Sequence, residues 1–320
     1  MVKMICGILS ALPLIAFAQN NANDGDWKSN YVVLNKTPQA EMMIRGGDID
    51  NLGFGWNQGS NTKFDPFSGK STEAHGFPWT PDTSFMGTDM IMVPSKAFEI
   101  ETSGTGSDGY SGEKQNNMDK FGSSVIPINI PLNIPESLTI KGILLQMFVD
   151  DFQAPVMGSK FEVKLNGKRA PFIEQVINKL NQTGPIGKLI SIPVPAEFHA
   201  LFRQKNLKIE IDDMTTGAGD GFAIDFVKIL INPNEQNMKK LDRTITIKDH
   251  EGKIISGAIV EMPDGTLYKS NEKGQVKITG LYLGHYPLQI SYCGYADLFV
   301  GLDVEEGGKD PEPYLLSPKA

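Results

Sequence analysis

Four aspartates carry the chemistry that this sequence offers most directly. Asp48 and Asp50 lie two apart in Gly46-Gly47-Asp48-Ile49-Asp50-Asn51, so on an extended backbone they point the same way. Asp225 interrupts the apolar run from Phe222 to Ile231, and Asp220 stands just before that run. Strict alternation puts Asp225 on the face of Ala223, Val227, Ile229 and Ile231. A lone carboxylate on an apolar face is costly unless it is paired or bound to a cation. Carboxylates, joined by carbonyls of glycine-rich turns, form the oxygen-only shell that calcium takes. Asp48, Asp50, Asp220 and Asp225 are therefore expected to form a structural Ca2+ site between the first and last strands of one domain. The competing reading makes them turn residues and hydrogen-bonded strand ends. The segment is not an EF-hand, because the third acidic position and the closing Glu are missing.

The segment from Arg45 to Asp89 is too rich in Gly, Pro, Asn and Asp to be a regular helix or strand. It also holds Trp56 and Trp79, two of the three tryptophans, with Phe54, Phe64, Phe67 and Phe77 around them. Disordered linkers are poor in aromatics, so an ordered loop pinned by its own rings is expected. Long ordered loops are frequently functional. Trp56, Trp79 and Tyr110 are the candidates for stacking on a glycan, whose C–H faces are apolar.

Catalytic constellations are thin. Asp150-Asp151 and Asp212-Asp213 are adjacent pairs, and neighbours on a strand project to opposite faces, so neither pair is a ready acid/base dyad. His75, His199, His250 and His285 show no metal-ligand spacing. No nucleophile elbow or phosphate-binding loop occurs. Cys293 falls on the polar side of its strand and has no His nearby in the sequence.

The first eighteen residues read as a secretory signal: Lys3, an apolar core from Met4 to Phe17, and Ala16-Phe17-Ala18 before Gln19. Removing residues 1–18 takes one of the 30 basic residues and none of the 38 acidic ones, leaving a net charge of −9. That balance argues against a nucleic-acid partner. It also removes Cys6, one of two cysteines, so the mature chain can form no internal disulfide. No other stretch is long and apolar enough to span a bilayer. The expected location is the cell surface or the medium, with the periplasm open.

These residues need a scaffold, and the sequence reads as mainly β. Residues 19–30 are polar and expected to be flexible. Residues 31–233 read as a jelly-roll-like antiparallel sandwich with strands at 31–34, 41–45, 90–102, 124–134, 138–151, 188–193, 206–212 and 221–233. Leu138–Asp151 is apolar on both faces, which requires cover on both sides. A helix over 171–183, begun by Pro171 and stopped by Gly184-Pro185, is the expected outer cover. A second short helix is expected over 195–204. After a linker at 234–240, residues 241–318 alternate as half-buried strands, with Gly turns at Gly252, Gly265 and Gly274.

The second unit resembles carboxypeptidase regulatory-like, or transthyretin-like, modules. The matching stretches are ITIKDHEGKIISGAIV (245–260), SNEKGQVKITGL (270–281) and LGHYPLQISYCGY (283–295). That resemblance implies a seven-stranded, non-catalytic accessory sandwich. IKDHEGKII and the Gly284-x-Tyr286 step also resemble C-terminal sorting domains of type IX secretion; Gly257-Ala258 and Gly294-Tyr295 favour the former family. The first unit resembles carbohydrate-binding jelly-roll modules in its last strand, GDGFAIDFVKILIN (219–232). The expected function is non-catalytic binding or structure outside the cell, with a glycan or envelope protein as partner. Two alternatives remain: a glycan-acting hydrolase using Asp151 and Asp213, and a self-associating subunit of an extracellular assembly.

Overall fold

The computed structural model describes residues 31–54, 65–75, 89–92, 94–96, 127–218 and 221–319. The signal-like leader lies outside them. The first unit is built from β1 (Tyr31–Asn35), β2 (Ala40–Gly47), β3 (Met90–Met92), β4 (Ile128–Pro131), β5 (Ile143–Asp150), β6 (Glu162–Leu165), β7 (Lys168–Arg169), β8 (Lys188–Pro193), β9 (Asn206–Asp212) and β10 (Phe222–Pro233). One sheet runs β1-β2-β10-β5-β8, with β3 also on β10; the other runs β4-β9-β6-β7. From β4 onward the chain alternates between the sheets, switching after β4, β5, β7, β8 and β9, which is jelly-roll order.

Alternation builds the space between the sheets. Ile143, Leu145, Met147 and Val149 of β5 meet Leu207, Ile209 and Ile211 of β9 in one continuous core. The β6–β7 hairpin is not among the strands expected from sequence. Its turn, Asn166-Gly167, has both residues left-handed (φ 49° and 81°), the Asn-Gly signal of a tight hairpin.

The helix is shorter than expected and sits elsewhere. After α1 (Ala154–Met157), α2 spans Pro171–Ile177 and adds Ile173, Val176 and Ile177 to the core between the sheets. Asn178 ends it by bonding both Phe161 N and Phe161 O, at 2.8 Å each. The outer face of β5 and β10 is covered instead by irregular chain and by the end of a strand of the second unit. Phe67 and Ile49 pack on Phe148 and Phe226, while Met238 and Tyr282 pack on Leu144 and Leu230. The second short helix expected over 195–204 is a 3-10 helix over Ala196–Arg203.

The second unit comprises β11 (Lys240–Asp249), β12 (Ile259–Glu261), β13 (Leu267–Lys269), β14 (Gln275–Tyr282), β15 (Gly284–Ser291), β16 (Leu298–Val304) and β17 (Tyr314–Leu316). The sheets β14-β11-β17 and β13-β12-β15-β16 enclose Ile245, Ile247, Val276, Ile278, Val260, Leu288, Ile290 and Leu302. Tyr292 lies past the end of β15, exposed, against Tyr295. Among the described residues no helix is long and apolar enough to cross a membrane.

Lys228 is buried on this outer face, beside Arg45 of β2. Its Nζ lies 3.8 Å above the Phe67 ring and donates to Gln39 Oε1 at 3.0 Å. Burial pushes its ammonium down to about 7, against the pull of Asp65 and with help from Arg45. A base depressed in the folded state weakens folding below its folded pKa, and the penalty fades as pH approaches the unfolded value near ~10.4. Between pH 7 and 10 the wild type should therefore gain about 2–4 kcal/mol relative to Lys228→Met. Urea midpoints across that range measure the difference; parallel profiles would refute the assignment.

Candidate functional site

The acidic site forms where two strands share one side of β10. Gly47 back to Ala40 pairs with Phe226 to Pro233, and Met90–Met92 pairs with Phe222–Ile224. β2 and β3 thus lie in line, and Asp225 occupies the break between them. The ladder to β5 shifts register at the same point, between Ile224 and Phe226. This bulge inserts one residue and resets the alternation. Phe222 and Ile224 therefore join Val227, Ile229 and Ile231 in the inner core, whereas Ala223 packs on Leu52 outside it. The expectation that Asp225 shares the face of Val227, Ile229 and Ile231 fails for this reason.

Asp225 instead meets the turn that follows β2. Its Oδ1 accepts from Leu52 N at 3.1 Å and Asp50 N at 3.4 Å. Asp50 Oδ1 accepts from Gly53 N at 3.0 Å, which tightens the turn. Asn51 and Leu52 are held left-handed (φ 60° and 57°), a conformation that costs about 1–2 kcal/mol per side chain. Asp48 is the first residue after β2, and Asp89 the last before β3. One carboxylate oxygen from each of Asp48, Asp50, Asp89 and Asp225 falls within 4.8 Å of the others. Their exposures are 4%, 7%, 4% and 1%.

The electrostatics are one-sided. Arg45 is fully buried beside the group; burial lowers its guanidinium to about 10 against the pull of Asp225 and Asp48. Burial, then Asp50, Asp89 and Asp48, push the Asp225 carboxyl well above its ordinary range, opposed by the bond from Leu52 N. Asp225 Oδ2 has no hydrogen-bond partner among the described residues. Such a group can hold a cation. It leaves no open carboxylate for a substrate.

Three of the four aspartates expected at this site come together. Asp220 lies outside the described residues, as do Trp56, Trp79 and Tyr110. Asp89 takes the fourth place and was not foreseen. Its signal is local: Gly87-Thr88-Asp89 opens the β-prone Met90–Val93, much as Gly47-Asp48 closes the strand before the loop.

The carboxylates of the two adjacent pairs, Asp150-Asp151 and Asp212-Asp213, bond to neighbouring groups of the fold. Asp150 is fully buried, with Oδ2 3.0 Å from His75 Nε2 and Oδ1 accepting from Asp151 N. His75 stacks on Phe54, ring centroids 3.8 Å apart, a partnership no sequence spacing announces. Asp151 accepts from Gln153 Nε2. Asp213 ties Lys160 N, Thr215 N, Thr216 N and the Thr216 hydroxyl, and Asp212 ties Ser95. Cys293 is exposed and free.

The sequence matches no family model and no curated protein, so the second unit's resemblance stands at the level of a β-sandwich. Among solved structures the chain is similar to the group B streptococcus pilus 2b backbone protein, at 14% identity over 61% of this chain and 94% of that one (TM-score 0.22). It is also similar to the full-length major pilin SpaD from Corynebacterium diphtheriae, at 12% identity over 61% of each chain (TM-score 0.23). A third is the Bacillus anthracis TIE protein, at 11% identity over 75% of this chain and 57% of that one (TM-score 0.23). TM-scores of this size lie below the level of a shared overall fold.

Gly47 makes the site possible. It is left-handed (φ 84°), and a Cβ there would lie 2.3 Å from Asp225 O. Gly47→Ala should destabilise the protein by about 2–4 kcal/mol, combining backbone strain with overpacking. A denaturation midpoint within error of wild type would refute this close approach.

Proposed function

We propose that the chain is an exported, non-catalytic structural protein of the cell exterior, whose two sandwiches act as one rigid unit of a larger assembly. The observation that carries this reading is the seam between the sandwiches. Residues 65–75 are wedged into it. On one side Thr72 N donates to Gly187 O and Gly187 N to Thr72 Oγ1. On the other, Glu306 N donates to Ser68 O at 3.1 Å. A Cβ at Gly69 would lie 2.0 Å from Val304 O, and one at Gly284 would lie 2.7 Å from Leu189 O. Backbone meets backbone along this line.

A polar network closes the seam. Lys188 Nζ of β8 donates to Ser71 Oγ at 2.8 Å and lies 3.7 Å from Asp303 Oδ1. Ser71 Oγ donates to Asp303 Oδ2 at 3.0 Å. His285 Nδ1 lies 2.5 Å from Asp303 Oδ1. Lys179 reaches Glu261 at 2.6 Å. Relative motion of domains is the default unless their interface is well made, and a tethered binding module needs no such seam. The carboxylates that a hydrolase would use, Asp151 and Asp213, are tied to neighbouring groups as described.

Burial, then Lys188, push His285 below its ordinary value, with Asp303 opposing. Burial works against Asp303, yet His285, Lys188 and Ser71 hold it down to about 2. For a base with a depressed folded pKa, stability is whole above the unfolded value near ~6.5 and falls as pH drops below it. The Asp303 contribution persists down to about pH 3.9, the ordinary aspartate value. The two sandwiches should therefore melt in one transition at pH 7. Asp303→Asn should split that melt in two, and acidification through pH 6 should weaken the coupling. An assembly subunit further predicts concentration-dependent polymers in light scattering. A glycan-array signal without polymers would favour a binder, and product release from a glycan would overturn the reading.

A further inference from the structure

We propose that Asp48, Asp50, Asp89 and Asp225 bind one Ca2+ ion, which closes the base of the excursion between β2 and β3. The inference is independent of the assembly role.

Geometry is the first support. Calcium takes oxygen ligands at about 2.3–2.6 Å, so one shell spans about 4.6–5.2 Å. The four carboxylate oxygens lie within 4.8 Å of one another, inside that span. Each comes from a different position around one break in a sheet: the end of β2, the turn after it, the start of β3 and the bulge of β10. These positions meet through pairing to one strand, so the cluster is built by the fold and is not a chance run of surface acids.

The second support is an unmet oxygen. Asp225 is 1% exposed. Its Oδ1 accepts two backbone N–H groups, while its Oδ2 has no hydrogen-bond partner among the described residues. The charges acting on this carboxylate are Asp50, Asp89 and Asp48, together with Arg45. One guanidinium faces four carboxyl groups, so acid is in excess in the group. Among the described residues this buried acceptor faces like charges and has gained no donor in place of water, and a divalent cation supplies what is missing.

The buried setting selects the metal. Magnesium is held at about 2.0–2.1 Å, dehydrates reluctantly and usually keeps several waters. Four buried carboxylates leave little room for a hydrated ion, and an irregular all-protein oxygen set suits calcium's flexible coordination. Zinc and copper sites favour His and Cys, and neither residue is in the group.

The test uses the full mature chain, stripped with chelator and then dialysed against calcium. At about 5 mM calcium, above the ~10⁻⁴–10⁻³ M range of extracellular modules, elemental analysis should find one Ca2+ per chain. The melting temperature should rise by about 4–10 °C. Asp225→Asn should abolish both effects, and Asp48→Asn should weaken calcium affinity at least about tenfold. If Asp225→Asn does not fold, wild-type stoichiometry and the Asp48→Asn titration decide alone. The proposal is overturned if wild type retains no calcium and its melting temperature is unchanged. It is equally overturned if Asp225→Asn melts higher than wild type in calcium, the result expected of carboxylates that merely share protons. Equal stabilisation by magnesium would overturn the assignment to calcium.

Discussion

A carboxylate inside the longest strand of the sheet sets the terms for the first sandwich. Burying Asp225 among apolar neighbours is tolerable only if donors or a cation meet it. The β10 bulge turns it away from the core between the sheets, and the turn after β2 comes to it with the amides of Asp50 and Leu52. That turn requires left-handed Asn51 and Leu52 and a glycine at 47. Several locally unfavourable conformations are thus concentrated around one oxygen pair, a pattern that accompanies function more often than stability.

The same break in the sheet organises what lies farther away. The chain leaves the line of β2 at Asp48 and rejoins it at Asp89. Between those points, residues 65–75 cover Phe148 and Phe226, support Lys228 and fill the seam with the second sandwich. Fixing both ends of a long excursion removes loop-closure entropy from every contact its middle makes. The acidic group thus stands where this excursion leaves and rejoins the sheet, and Ser71, which bonds Lys188 and Asp303, stands in its middle.

Much of this was legible in the sequence, and the failures have physical causes. Period-two patterning located β5, β8, β9 and β10, because each has an alternating or fully buried face. Glycine turns at Gly252, Gly265 and Gly274 were readable because all three are left-handed. Alternation misplaced Asp225, because a bulge adds a residue without any required sequence mark. It also misjudged the cover of β5: an amphipathic helix advertises a buried face but not which sheet face it will meet. Pairing of Asp48 and Asp50 was visible at short range. Asp89 was missed because its partners are distant in sequence and joined only by strand pairing. His75–Asp150 and His285–Asp303–Lys188 were invisible for the same reason.

Amide hydrogen exchange at Leu52 and Glu306, with and without calcium, tests the account most directly. Leu52 N reports the acidic site through Asp225, and Glu306 N reports the seam through Ser68 O. If the cation ties the base of the excursion that joins the sandwiches, chelation should lower protection at both amides together, by about tenfold or more. Unchanged protection at both would contradict the account.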